Sequence, residues 1–75
     1  GAARLAMELK AWRSGQRDPA PKGLAQLDAY LDGLGLATGW LVVFDQRKRR
    51  PPPSRRVRAV KAKTPSGRGV TVVRL

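Results

Sequence analysis

Seventy-five residues make one small domain or part of one, and a core of that size is marginal unless something adds to it. The chain has no cysteine and no histidine, which excludes disulfides, thiolate metal sites, cysteine nucleophiles and imidazole chemistry. Any catalysis would have to use carboxylates, lysine, tyrosine or a hard oxygen-bound metal. The 16 basic and 5 acidic residues give +11, but the excess is local: residues 1–45 hold five of each sign, and residues 46–75 hold 11 basic residues and no acid. A basic segment of that density attracts polyanions, nucleic acid first among them, and the same composition also suits a solvated tail.

The first element is a strand. Residues 4–13, RLAMELKAWR, alternate, with Leu5, Met7, Leu9 and Ala11 on an apolar side and Arg4, Ala6, Glu8, Lys10 and Trp12 on a mixed side. Residues 14–22, SGQRDPAPK, read as a loop, since glycine, aspartate and two prolines interrupt any period. Residues 23–34 read as a helix, with Leu24, Leu27, Leu31 and Leu34 on one stripe and Gly33 and Gly35 as the stop. Asp28 and Asp32 fall on the side away from that stripe, and Gln26 and Tyr30 fall at its border.

GWLVVFD, residues 39–45, is a continuous apolar run and predicts a strand buried on both faces, with Trp40 in the core. Strand, helix and buried strand joined by short links form a β-α-β unit, so the two strands should be parallel and the crossover right-handed. Residues 46–56, QRKRRPPPSRR, combine charge with three prolines and read as a basic connecting loop. Residues 57–64 and 69–75, separated by a TPSGRG turn signal, read as a terminal β-hairpin. The expected fold is therefore α/β with a mixed sheet: 1–45 as its first half, 46–56 as the basic loop and 57–75 as the hairpin of the same domain. WLVVF is the longest apolar run and is too short to span a bilayer. With no signal-peptide pattern either, a cytoplasmic protein without a membrane partner is expected. The chain opens without methionine and almost directly in a strand, which reads as a fragment whose upstream part is missing.

Two short patterns carry chemistry. Glu8 and Lys10 stand at i and i+2 on one strand face, a pairing that often serves only solubility. A carboxylate also ligates Mg²⁺ or a similar hard cation, the intervening Leu9 carbonyl adds a second oxygen, and a neighbouring lysine orients a water or steadies charge on a phosphate. Gln26 and Tyr30 meet on one helix face at i and i+4; they either cap the core boundary or reach over the neighbouring strand to a site there.

In this order and spacing, ELK followed by GLAQLDAYLDGLGLATGWLVVFD resembles the C-terminal half of a PD-(D/E)xK nuclease-like, restriction-endonuclease-like domain. The similarity is to the version that ends many bacterial and archaeal AAA-type ATPase proteins. It spans about residues 4–45, with a weaker echo in GRGVTVVRL. The resemblance implies metal-dependent phosphodiester hydrolysis of DNA by the complete protein, with Glu8 and Lys10 as catalytic residues and Gln26 and Tyr30 positioning the substrate. It implies Mg²⁺ or Mn²⁺ on Glu8 and the Leu9 carbonyl, and an ATPase module upstream in the same chain. The family's PD-motif aspartate has no counterpart here, since Asp18 lies in a loop, Asp28 and Asp32 face away and Asp45 ends the far strand. The fragment alone is therefore expected to be inactive. Arg47, Lys48, Arg49, Arg50, Arg55 and Arg56 are the nucleic-acid contacts this reading suggests, and a solvated linker is their plainer role. Trp12 shares the Glu8 and Lys10 face, packed beside them or stacking on a base. A non-catalytic nucleic-acid-binding or regulatory domain of an ATPase is the alternative, and a small basic ribosome-associated or scaffold protein is a third.

Overall fold

A computed structural model describes residues 5–75, so Arg4, at the start of the predicted first strand, lies outside the described residues. In chain order the elements are strand β1 (Met7–Trp12), helix α1 (Ala20–Leu34), strand β2 (Thr38–Asp45), a single helical turn α2 (Pro53–Arg56), strand β3 (Arg58–Lys63) and strand β4 (Gly69–Arg74). The class is α/β, a β-α-β unit followed by a C-terminal β-hairpin, in one four-stranded sheet of order β1-β2-β4-β3. β1 is parallel to β2, as the β-α-β pattern predicts, β2 is parallel to β4, and β3 pairs antiparallel with β4.

α1 starts one turn earlier than the leucine spacing indicated. Asp18 accepts a hydrogen bond from the Ala20 N–H at 2.9 Å, and Pro21 follows in the first turn, where its missing N–H costs nothing. The helix ends at Gly35, whose φ of 67° is open to glycine; Gly35 N–H bonds the Asp32 carbonyl and Leu36 N–H the Leu31 carbonyl. Leu27 and Leu31 are fully enclosed against Leu41, Val43, Val70 and Val72. Two glycines let the helix approach the sheet. A Cβ at Gly23 would meet Leu41 Cδ1 at 2.8 Å and Lys10 Cγ at 3.3 Å, and one at Gly39 would meet the Ala6 carbonyl oxygen at 3.2 Å.

α1 lies over β1 and β2 and covers only one side of the sheet. This corrects the expectation that β2 is buried on both faces. Leu41 and Val43 are enclosed and Val42 is buried on the other side, but Trp40 and Phe44 flanking Val42 are each 39% exposed, so the open face of β2 is only partly buried and Trp40 is not a core residue. The register puts Met7 and Leu9 beside Trp40 and Val42 on that open face, leaving the apolar side of β1 uncovered and its mixed side under the helix.

Of the two aspartates of α1 expected to face outward, Asp32 is exposed, but Asp28 is turned in against the hairpin turn. Asp28 accepts hydrogen bonds from Thr64 Oγ1, Ser66 Oγ, Ser66 N–H and Arg68 Nη1, and Asp32 accepts from Arg68 Nη2 at 2.8 Å. They clamp the β3–β4 turn to the helix. The Ser66 and Thr64 hydroxyls, with Arg68, hold the Asp28 carboxyl well below the ordinary carboxylate range. The basic connection is not wholly irregular either, since residues 53–56 form α2.

β1 is an edge strand among the described residues. Ala6 and Trp12 carbonyls accept from Trp40 and Gln46 N–H groups of the β2 side. In a parallel ladder alternate residues bond to alternate sides, so the backbone groups of Met7, Leu9 and Ala11 point to the open edge.

Candidate functional site

The helix face of the sheet is built of cross-strand rows. One row runs Glu8, Leu41, Val72, Val60; the next, toward the C-terminal ends of the parallel strands, runs Lys10, Val43, Arg74, Arg58. Glu8 and Lys10 are half-buried beside one another, with Lys10 Nζ 3.8 Å from Glu8 Oε1. Gly23 lies over the Lys10 stem, which places the ammonium at the helix margin rather than in the core. The expected pair is thus brought together on the covered face, and the Leu9 carbonyl sits on the open edge next to it.

Gln26 and Tyr30 are both exposed, Tyr30 by 60%. At about 100° per residue they occupy the flank of α1 opposite Asp28, which is the β1 side, since Asp28 grips the hairpin. Among the described residues neither hydrogen-bonds Glu8 or Lys10.

A hard divalent cation takes about six oxygen ligands. Glu8 supplies a carboxylate and Leu9 a carbonyl, and among the described residues no three acidic side chains converge on one point. This donor set fits one side of a Mg²⁺ or Mn²⁺ site and needs a further carboxylate to hold the ion.

A second cluster lies one row further along. At the C-terminal ends of β1, β2 and β4 a cleft of about 280 Å³ is lined by Trp12, Asp18, Asp45 and five arginines: Arg47, Arg55, Arg56, Arg58 and Arg74. Arg47 grips Asp45 in a fork, Nε to Oδ1 at 2.9 Å and Nη2 to Oδ2 at 2.7 Å, and stacks over the Trp12 ring at 3.5 Å. That fork outweighs burial and lowers the Asp45 carboxyl to about 2. Burial alone would raise Asp18, but hydrogen bonds from Arg74 and the Ala20 N–H bring it below the ordinary value. Trp12 Nε1 donates to the Gln16 carbonyl, which fixes the ring as the cleft wall.

Of the six basic residues expected to touch nucleic acid, Arg47, Arg55 and Arg56 enter this cleft. Lys48, Arg49 and Arg50 lie outside it; Arg50 folds back to donate to the Arg47 carbonyl at 2.8 Å. Sequence reasoning missed Arg58, Arg74 and the Asp18 and Asp45 partners. Alternation places Arg74 on the same side as Val70 and Val72, but only the β3–β4 register brings Arg58 opposite it. Comparison with family models, curated proteins and solved structures finds no match to this chain.

Proposed function

We propose that the chain is the C-terminal half of a PD-(D/E)xK nuclease-like domain acting on DNA, joined in the complete protein to an ATPase module. The observation that carries this reading is the placement of Glu8 and Lys10, side by side on the covered face of β1 under Gly23, one row from a surplus of arginines. Glu8 and the Leu9 carbonyl would hold Mg²⁺ or Mn²⁺, together with a carboxylate from outside these residues. The bound ion would supply a hydroxide-like nucleophile and charge neutralisation at the phosphate. Lys10 holds its ammonium beside Glu8, positioned to orient a water or to steady charge on a phosphate. Gln26 and Tyr30 form the flank along which a strand of nucleic acid would lie.

In the complete protein, Lys10→Ala is expected to lower Mg²⁺-dependent cleavage of DNA about a hundredfold while leaving DNA binding close to normal. Unchanged cleavage would overturn the catalytic assignment.

A second reading, a non-catalytic nucleic-acid-binding or regulatory domain of an ATPase, is favoured by the cleft arginines that have no carboxylate partner among the described residues and need nothing from Glu8. It gives salt-sensitive binding through residues 47–63 that survives the loss of Glu8.

A further inference from the structure

Two acid–arginine clusters hang on the sheet, and they differ in completeness. At the hairpin turn Arg68 divides its guanidinium between Asp28 and Asp32 and also bonds Ser66 Oγ, so one cation meets two carboxylates. In the cleft at the C-terminal ends of the parallel strands the ratio is reversed, with five guanidiniums around two carboxylates. Asp45 is taken by Arg47 and Asp18 by Arg74. Arg55 and Arg58 have no carboxylate partner among the described residues. Arg56 gives Nη1 to the Pro51 carbonyl, and its Nε is enclosed with no acceptor.

The register adds a further strain. Arg58 stands directly opposite Arg74 on the antiparallel ladder, and like charges in that position repel. Arg74 has Asp18 as its counter-ion, so the groups left to be relieved are the enclosed Arg56 Nε and the Arg58 guanidinium, and one anion with several oxygens would serve both. The position is also one where α/β sheets bind ligands, beyond the carboxyl ends of parallel strands.

We propose that this cleft binds the terminal phosphomonoester of a nucleic-acid strand. Three guanidiniums without carboxylate partners match a monoester, which carries about −1.5 to −2 at neutral pH and three acceptor oxygens, better than the single charge of an internal diester. Guanidinium forks suit phosphate oxygens geometrically. A cleft of about 280 Å³ is just below the usual range of small-ligand sites. That volume suits a phosphate with its sugar. Trp12, held by Gln16 and covered by Arg47, closes one wall. The inference rests on the nucleic-acid reading only for the source of the phosphate.

The test uses the 75-residue chain, labelled for NMR, with three probes: inorganic phosphate, a short single-stranded oligonucleotide carrying a terminal phosphate, and the same oligonucleotide with hydroxyl ends. The phosphorylated strand should bind about tenfold or more tightly than the hydroxyl-ended one, the worth of one charge-assisted hydrogen bond, and should shift the Arg56 Nε and Trp12 Nε1 resonances. Arg55→Ala with Arg58→Gln should abolish that preference. Neither residue makes a side-chain hydrogen bond among the described residues, so an unchanged amide spectrum is expected to certify the fold. Lys48→Ala with Arg49→Ala should leave the preference intact. Equal binding of the two strands overturns the terminal-phosphate assignment while sparing the nucleic-acid reading. Shifts with inorganic phosphate but with neither strand overturn the strand-end assignment and the nucleic-acid reading together.

Discussion

The side of the sheet under α1 and the side away from it are composed in opposite senses at their margins. The covered side has Leu41, Val43, Val70 and Val72 at its centre, and Glu8, Lys10, Arg58 and Arg74 around them. The open side presents Met7, Leu9, Trp40 and Phe44 with exposures of 39% to 57%, with Lys61, which bonds Thr71 Oγ1, and Lys63 as its charged residues among those described. Hydrophobicity alone would have put the helix on the other side of β1. What decides the matter is β2 and β4, whose small glycine-flanked face receives Leu27 and Leu31, while β1 follows its parallel partner in register. Charged side chains tolerate the covered face because they sit at its edges, where their heads reach water and their stems pack.

Leu31→Ala on the covered side should cost about 2–5 kcal/mol in urea unfolding, the range for a fully enclosed leucine. A small loss would mean that α1 is not seated as described. Acid should act next, through the carboxylates held below their ordinary value, Asp18, Asp28 and Asp45. Asp28 and Asp45 both have folded values below the ordinary 3.8, Asp45 at about 2. Their stabilisation is therefore complete above that ordinary value and is lost as pH falls from about 3.8 toward the folded values. Tm should be flat from pH 7 to 5 and drop between about pH 4 and 2, and Asp28→Asn should lessen the drop; a Tm that declines already at pH 6 would implicate other groups. The smallest effect belongs to Leu9→Ser on the open side, within about 0.5 kcal/mol. A loss comparable to Leu31→Ala would show that the open side is covered in solution, and the comparison would fail.

Much of the frame was legible from local pattern. The alternation of residues 4–13, the leucine stripe of α1 and the run GWLVVFD gave the β-α-β unit, and TPSGRG located the hairpin turn. The helix start was set by an aspartate side chain two residues before Ala20, which spacing of leucines cannot report. Which side of each strand is covered depends on where the helix lands, and the period of two leaves that choice open. Within the candidate site, Glu8 and Lys10 were legible because they share one strand. The arginine cleft was only half legible. Arg47, Arg55 and Arg56 sit in an obvious basic run, but Arg58 and Arg74 join them through pairing between strands, and Asp28 turned inward because Thr64, Ser66 and Arg68 reach it from residues far along the chain.

The sheet has two unlike borders. Along β3 the backbone is guarded by Arg58, Lys61 and Lys63, whose mutual repulsion discourages another strand from adding. Along β1 the outward N–H and C=O groups of Met7, Leu9 and Ala11 are flanked on the open side by their own apolar side chains, and its charges, Glu8 and Lys10, lie on the covered side as an opposed pair. Any extension of the sheet, by another part of a longer chain or by a second molecule, is therefore favoured along β1 over β3, where three like charges repel an added strand.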